Sequence, residues 1–274
     1  MLTATLLALA AAVLHAAWNL WVKQSDQPWI SLWGQMTMAA VISIVVITAN
    51  GGVDHPAWKQ AILSGLIHTV YVIALARAYT LGDFSVTYPI ARGTGALLAA
   101  IGGVLFLNDH LSILMVLGIC VSAVGILILA GPANNAHVYA ALVVAVTIGL
   151  YSNVDSSGSR TMGGNFYPFL IFITCSIGLT TYGIVTSRGP TMLAAMRTTW
   201  PRFTLAGVAS LLTYWMVLRA VQTAPVGYVT ALRESSVVIV AFVGTHVLKE
   251  SDKKRKIIAA FVVLAGLVVL VIGR

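Results

Sequence analysis

An all-α, polytopic membrane protein with ten transmembrane helices in two inverted five-helix repeats is the fold predicted by the sequence, and three observations predict it. Hydrophobic residues make up 59% of the 274 and charged residues only 9%, with a mean hydropathy of +0.92, whereas soluble domains carry roughly 25% charged residues. Apolar runs of about 20 residues, each enough to cross a hydrocarbon core of about 30 Å as a helix, recur from end to end. The two halves also resemble each other at an offset near half the chain length.

The ten runs cover 3–22, 29–49, 58–79, 85–107, 111–130, 136–157, 166–187, 200–221, 227–248 and 255–273. The first lacks a basic n-region and a clear small-residue cleavage site, so it reads as a retained span rather than a secretory signal. Trp21, Trp29, Trp58 and Trp200 stand near span ends, the interfacial position expected for tryptophan. Gly82-Asp83 precedes the fourth span, with Asp83 its expected cap, and Ala224-Pro225 fills the equivalent turn before the ninth. Inside the fourth span Pro89 removes a backbone donor and predicts a kink. Gly93, Gly95, Gly102 and Gly103 in the fourth span, with Gly118 and Gly125 in the fifth, predict close helix packing. Asp155 marks the end of the sixth. Cys120 and Cys175 sit in apolar runs without metal-ligand spacing and are expected to be buried small hydrophobes. The connections are too short for a soluble catalytic domain, so no enzyme is predicted and function must lie within the bundle or at its mouths.

Set side by side, "ARAYTLGDFSVTYPIARGTGALLAAIGGVLFLND" and "LRAVQTAPVGYVTALRESSVVIVAFVGTHVLKE" carry the repeat. Arg77 and Ala78 match Arg219 and Ala220 at an offset of 142; after one indel, Arg92 matches Arg233, Gly103 matches Gly244, Asp109 matches Glu250 and Gly125 matches Gly266, all at 141. The repeats are therefore 1–133 and 134–274, and five spans each, an odd number, make the second enter from the opposite face. Inverted repeats commonly build alternating-access transporters with a site near mid-membrane.

The net charge of +8 is not a nucleic-acid footprint, because five of the sixteen Lys and Arg crowd into "KESDKKRK", a short loop of the kind that meets anionic headgroups. Counted over alternate loops, ten basic residues fall on one side (Lys23, Arg77, Arg188, Arg197, Arg202 and those five) and four on the other (Lys59, Arg160, Arg219, Arg274). By charge alone, both termini face away from the cytoplasm.

Arg92 and Arg233 complete the sixteen and fall inside spans, each roughly 6 Å from the midplane by helical rise. Ionised side chains at that depth face protein or water rather than lipid. Either they satisfy helix carbonyls or an acidic neighbour such as Glu234, or they form a paired cationic lining for an anionic or zwitterionic solute. Tyr88 shares a helix face with Arg92. Glu234 and Asp155 are candidate proton-coupling groups, Asp155 alternatively binding a substrate amine. His15, Trp18 and Asn19 form a polar patch in the first span, and His68 with Tyr71 a second in the third, with interhelical hydrogen bonding the alternative role for each histidine. No HExxH, CxxC or carboxylate cluster predicts a metal site, and no cofactor or ATP-binding motif is present.

"HAAWNLWVK", "GDFSVTYPIARG" through "LNDHLS", "YSNVDSSGSR" and "APVGYVTALRESSVV" through "LKE" together resemble an EamA-type member of the drug/metabolite transporter superfamily over almost the whole chain. The resemblance implies ten helices in two inverted repeats and a secondary carrier, often an exporter, of small metabolites such as amino acids, with a phosphonate another candidate. It implies a bacterial-type inner membrane and a cavity lined by spans one, three, four, six, eight and nine. Residue by residue it falls on Trp18, Asn19, Tyr88, Arg92, Asp155, Tyr228, Arg233 and Glu234, and Asp109 stands where the family usually has glutamate. It also implies cytoplasmic termini, opposite to the charge count, and a reporter fused to the C-terminus distinguishes the two. The expected partners are a small solute, the lipid bilayer and protons, the chain acting as a monomer; multidrug or cationic-compound efflux is the alternative function.

Overall fold

A computed structural model describes residues 1–23, 25–53, 57–81, 84–130, 135–162, 166–236, 238–239 and 253–273; within these, the side chains of 20, 21, 23, 79–81, 84–89, 129–130, 135–137, 253 and 256 fall outside the description. The described residues form ten helices and no strand: α1 Leu2–Lys23, α2 Pro28–Ala49, α3 Trp58–Leu81, α4 Phe84–Leu107, α5 Ile113–Ala130, α6 Asn135–Met162, α7 Tyr167–Val185, α8 Gly189–Ala220, α9 Val226–Arg233 and α10 Lys253–Ile272. Seven of them, α1 to α4 and α6 to α8, are long and apolar enough to cross a membrane. The protein is thus a multi-pass membrane protein. The apolar stretches of α5 and α10, Ile113–Ile128 and Ile257–Ile272, are shorter, and much of the predicted ninth span, 227–248, lies outside the described residues.

Local sequence accounts for several helix boundaries. Proline occupies the first turn of α2, α7 and α8, where a missing N–H costs nothing because that donor has no intrahelical acceptor. After α2, Gly51 and Gly52 take φ of 79° and 102°, a left-handed turn that glycine enters without a Cβ clash. Two predicted boundaries need correction. The sixth span continues to Met162, placing Asp155 well inside α6 rather than at its end, because Ser156, Gly158 and Ser159 pack against neighbouring helices instead of meeting solvent. The eighth begins at Gly189, since nothing from Thr191 to Trp200 breaks a helix and Pro201 is accommodated within it. At about 1.5 Å per residue its 32 residues reach about 48 Å, beyond a hydrocarbon core of about 30 Å.

The helices pack as a bundle: α1 and α2 lie against α8, α3 against α6 and α7, α2 against α7, α4 against α5, α6 and α9, and α5 against α10. One end of the bundle gathers Asp109, Ser112, Val226 and Gly273 and is called here the terminus end. The other gathers Asp26, Gln27, Arg77, Arg188 and Thr191 and is called the basic end. Two apolar clusters fill the interior, one around Trp18, Trp33, Met36 and Phe172, the other around Ile126, Tyr167, Val221 and Tyr228. Side chains such as Leu105, Phe106 and Phe261 are exposed outward, as lipid-facing residues are. Cys120 is among the exposed residues, contrary to expectation, and Cys175 is buried. Trp58 and Trp200 are exposed, but Trp29 is buried under the Arg188 guanidinium, 4.7 Å from its ring.

The seam between α5 and α10 shows why small residues are placed there. A Cβ on Gly125 would lie 2.7 Å from Val263 N and 3.1 Å from Ala259 O; one on Gly266 would lie 2.5 Å from Ser122 N and 2.8 Å from Gly118 O. These two sets of contacts interchange at the repeat offset of 141, which carries Gly118, Ser122 and Gly125 onto Ala259, Val263 and Gly266. Gly118→Val would push backbone against backbone, since its Cβ sits 2.5 Å from Leu270 N. It should destabilise the protein by about 2 kcal/mol, whereas Gly189→Ala, with open space around it, should have little effect; thermal unfolding of purified protein compares them.

Candidate functional site

A small chamber lies at the centre of the bundle, its surface mostly apolar, with a volume of about 60 Å³. Each of seven helices contributes: α1 gives His15 and Trp18, α2 Met36, α3 His68 and Tyr71, α6 Tyr151, α7 Phe172 and Cys175, α8 Ser210, Thr213 and Tyr214, and α9 Arg233. Small-molecule sites run to about 300–1,000 Å³, so the chamber as it stands is too small for a metabolite. Larger cavities of about 720 and 510 Å³ open at the basic end, around Asp26 and Gln27. Gln35 lines the larger of these and donates to Ser210 Oγ, which lines the chamber, so one hydrogen-bonded pair touches both spaces.

The two membrane arginines have different surroundings. Arg92, from α4, pairs with Glu234: its Nη2 lies 2.9 Å from Glu234 Oε1, with both side chains buried. Arg233, the last residue of α9, is 4% exposed and lines the chamber. Its Nε has no acceptor, and among the described residues it forms no ion pair or hydrogen bond. Trp18 Nε1, on the same chamber, is likewise buried without an acceptor. A buried donor left unsatisfied costs about 1–3 kcal/mol, and more when charged. The chamber therefore presents donors in search of an acceptor.

Asp155 lies beside the chamber, fully buried. Tyr167 Oη donates to its Oδ1 at 3.2 Å and Tyr214 Oη to its Oδ2, with His68 Nδ1 4.0 Å from Oδ2. The His68 ring stacks on Tyr151 at 4.1 Å and meets Tyr71 and Tyr214 edge-on. The carboxylate thus sits behind an aromatic wall that faces the space Arg233 lines. Tyr214→Phe keeps the wall's shape but removes a donor from a buried carboxylate, and should lower stability by about 1–3 kcal/mol in a thermal melt.

Of the residues singled out from sequence, the structure brings Trp18, His68, Tyr71 and Arg233 to the chamber and Asp155 next to it. Arg92 and Glu234 form an ion pair with each other and are not among the residues lining the chamber. Asn19 is buried and turned back on its own helix, its Nδ2 donating to His15 O. Tyr228 lies elsewhere, fully buried with its hydroxyl 2.8 Å from Thr5 Oγ1 near the start of α1. The Tyr88 side chain lies outside the described residues, as do Asp83 and the detail of any kink at Pro89. The eighth span was expected to line the cavity, but Ser210, Thr213 and Tyr214 were not singled out, although the repeat contains a signal for two of them: at the offset of 142 that relates Arg77 to Arg219, His68 and Tyr71 fall on Ser210 and Thr213. Among the described residues no group of three or more His, Cys, Asp or Glu is placed to hold a metal ion.

The sequence model of the EamA-like transporter family matches residues 136–272. Twenty-seven chains of solved structures are similar to this fold; one, a protein crystal structure, superposes with a TM-score of 0.75 over 98% of each chain at 17% identity, a likeness of fold alone. No curated protein matches the sequence.

Proposed function

Because the chain belongs to the EamA-like transporter family, we propose that it is a secondary transporter that moves a small anionic or zwitterionic metabolite across the membrane by alternating access, with net export. The observation carrying this reading is Arg233, a buried guanidinium without a protein partner among the described residues, lining a central chamber. A carboxylate or phosphorus oxyanion satisfies its fork geometry in two parallel bonds, and Trp18 Nε1 supplies a further donor. Asp155, behind the aromatic wall, takes a solute amine or a coupling proton. Glu234 balances Arg92, so the pair adds no net charge to the site.

The reading includes ten spans in two inverted repeats. The α5–α10 seam supports it: contacts that interchange at an offset of 141 between antiparallel helices require a twofold axis perpendicular to them, which lies in the membrane plane. Such an axis relates the two mouths, and closing one while opening the other needs no new architecture. The chamber's small volume corresponds to a closed state that must expand to admit solute.

The aromatic wall and Asp155 favour a second reading, efflux of cationic compounds, since aromatic faces and a buried carboxylate attract cations. Uptake into proteoliposomes of amino acids, phosphonates and cationic dyes, with and without a proton gradient, separates the two. Accumulation of zwitterions or anions that is lost in Arg233→Gln supports the first. Dye transport that survives this substitution and disappears in Asp155→Asn supports the second.

A further inference from the structure

Charged residues unused by the transport reading join the helices at the terminus end. Asp109, in the connection after α4, places Oδ1 2.8 Å from Arg160 Nη1 at the end of α6, and its Oδ2 accepts a hydrogen bond from Val226 N, the first residue of α9, at 2.6 Å. Arg160 donates from Nε to Val221 O at 2.8 Å and from Nη2 to Ala224 O at 3.3 Å. One carboxylate and one guanidinium thus tie together the end of α4, the end of α6, the α8–α9 connection and the start of α9. Ser159 reinforces the knot by donating to Leu218 O and accepting from Gln222 Nε2. Below it the apolar cluster containing Val221, Val226 and Leu218 fills the space toward the chamber.

At the basic end two cavities lie between the α1–α2 connection and α8 and beside the end of α3. The Asp109–Arg160 tie lies at the opposite mouth.

We propose that Asp109 and Arg160 form a gate that holds the terminus end shut while the basic end opens, and that releasing it exposes the chamber to the terminus side. The proposal rests on the carrier reading. Opening that mouth parts α4 from the α8–α9 turn, and the pair is the charged link between them, above the packing of Gly103 on Val226.

Cys175 lines the chamber and reports access to it, provided Cys120, which is exposed, is replaced by serine. The test measures modification of Cys175 by a membrane-impermeant methanethiosulfonate reagent applied to either face of oriented vesicles, without solute. Asp109→Asn removes the charge but keeps an oxygen for Val226 N, so α9 stays capped. This variant and Arg160→Gln should raise the terminus-side rate at least about tenfold; Arg160→Lys, which keeps the ion pair, should stay within about twofold of the parent. Terminus-side rates equal to the parent in both neutral variants overturn the gate, as does a rise of equal size from both faces, the mark of a loosened fold. Because no solute is needed, a failed uptake assay overturns the carrier reading without altering this result.

Discussion

Arg233→Gln should reduce solute transport about 100-fold or more while leaving the protein as stable as the parent or more so. The transport loss follows from removing the charged half of a buried ion contact, which costs about 2–5 kcal/mol, each 1.4 kcal/mol being about tenfold. The stability result follows from the absence of a protein partner: Arg233 is held in the bundle beside another cation, Arg92. Deleting a buried charge that forms no ion pair or hydrogen bond among the described residues removes a penalty larger than its electrostatic attraction to Tyr151, Tyr214 and Glu234. Arg233→Lys keeps the charge without the bidentate fork and should fall between, about tenfold below the parent. Radiolabelled uptake and thermal melts of the same preparations give both quantities. A variant that loses transport and stability together would mean that Arg233 holds the fold rather than the solute.

Arg92→Gln should show the reverse emphasis. It leaves Glu234 buried without the ion partner found at 2.9 Å, and breaking a buried pair from one side costs about 3–5 kcal/mol. The melt should shift strongly downward, and the double variant Arg92→Gln with Glu234→Gln should recover most of the loss because no lone charge remains. If Arg92→Gln instead matches Arg233→Gln, with transport lost and the melt unchanged, the two arginines share one role and the assignment of Arg92 to Glu234 is wrong.

That contrast marks what could be read from sequence. The helices were legible because run length and hydropathy answer to one physical demand, the satisfaction of backbone polar groups in lipid. Depth also singled out Arg92, Arg233 and Glu234 as buried, since any ionisable group there has to be explained. Partner choice was not legible. Arg92 and Arg233 occupy equivalent repeat positions, and only the third dimension shows Glu234 turned toward the first and not the second. Asp155 looked like a helix end because "SSGSR" reads as polar punctuation, yet those small residues are what allow α6 to continue against Tyr167 and α8. Tyr228 carried a family position but sits beside Thr5, away from the chamber. Tyr214 carried no motif, and its role rests on a hydroxyl reaching across to Asp155.

The most direct measurement of the central claim is chemical modification of the two arginines by methylglyoxal, a small guanidinium-directed dicarbonyl, followed by peptide mass spectrometry with and without a transported solute. Arg233 should react, Arg92 should stay largely unmodified behind Glu234, and saturating solute should protect Arg233. Modification of Arg92 in preference to Arg233, or an Arg233 rate that solute leaves unchanged, would contradict the account.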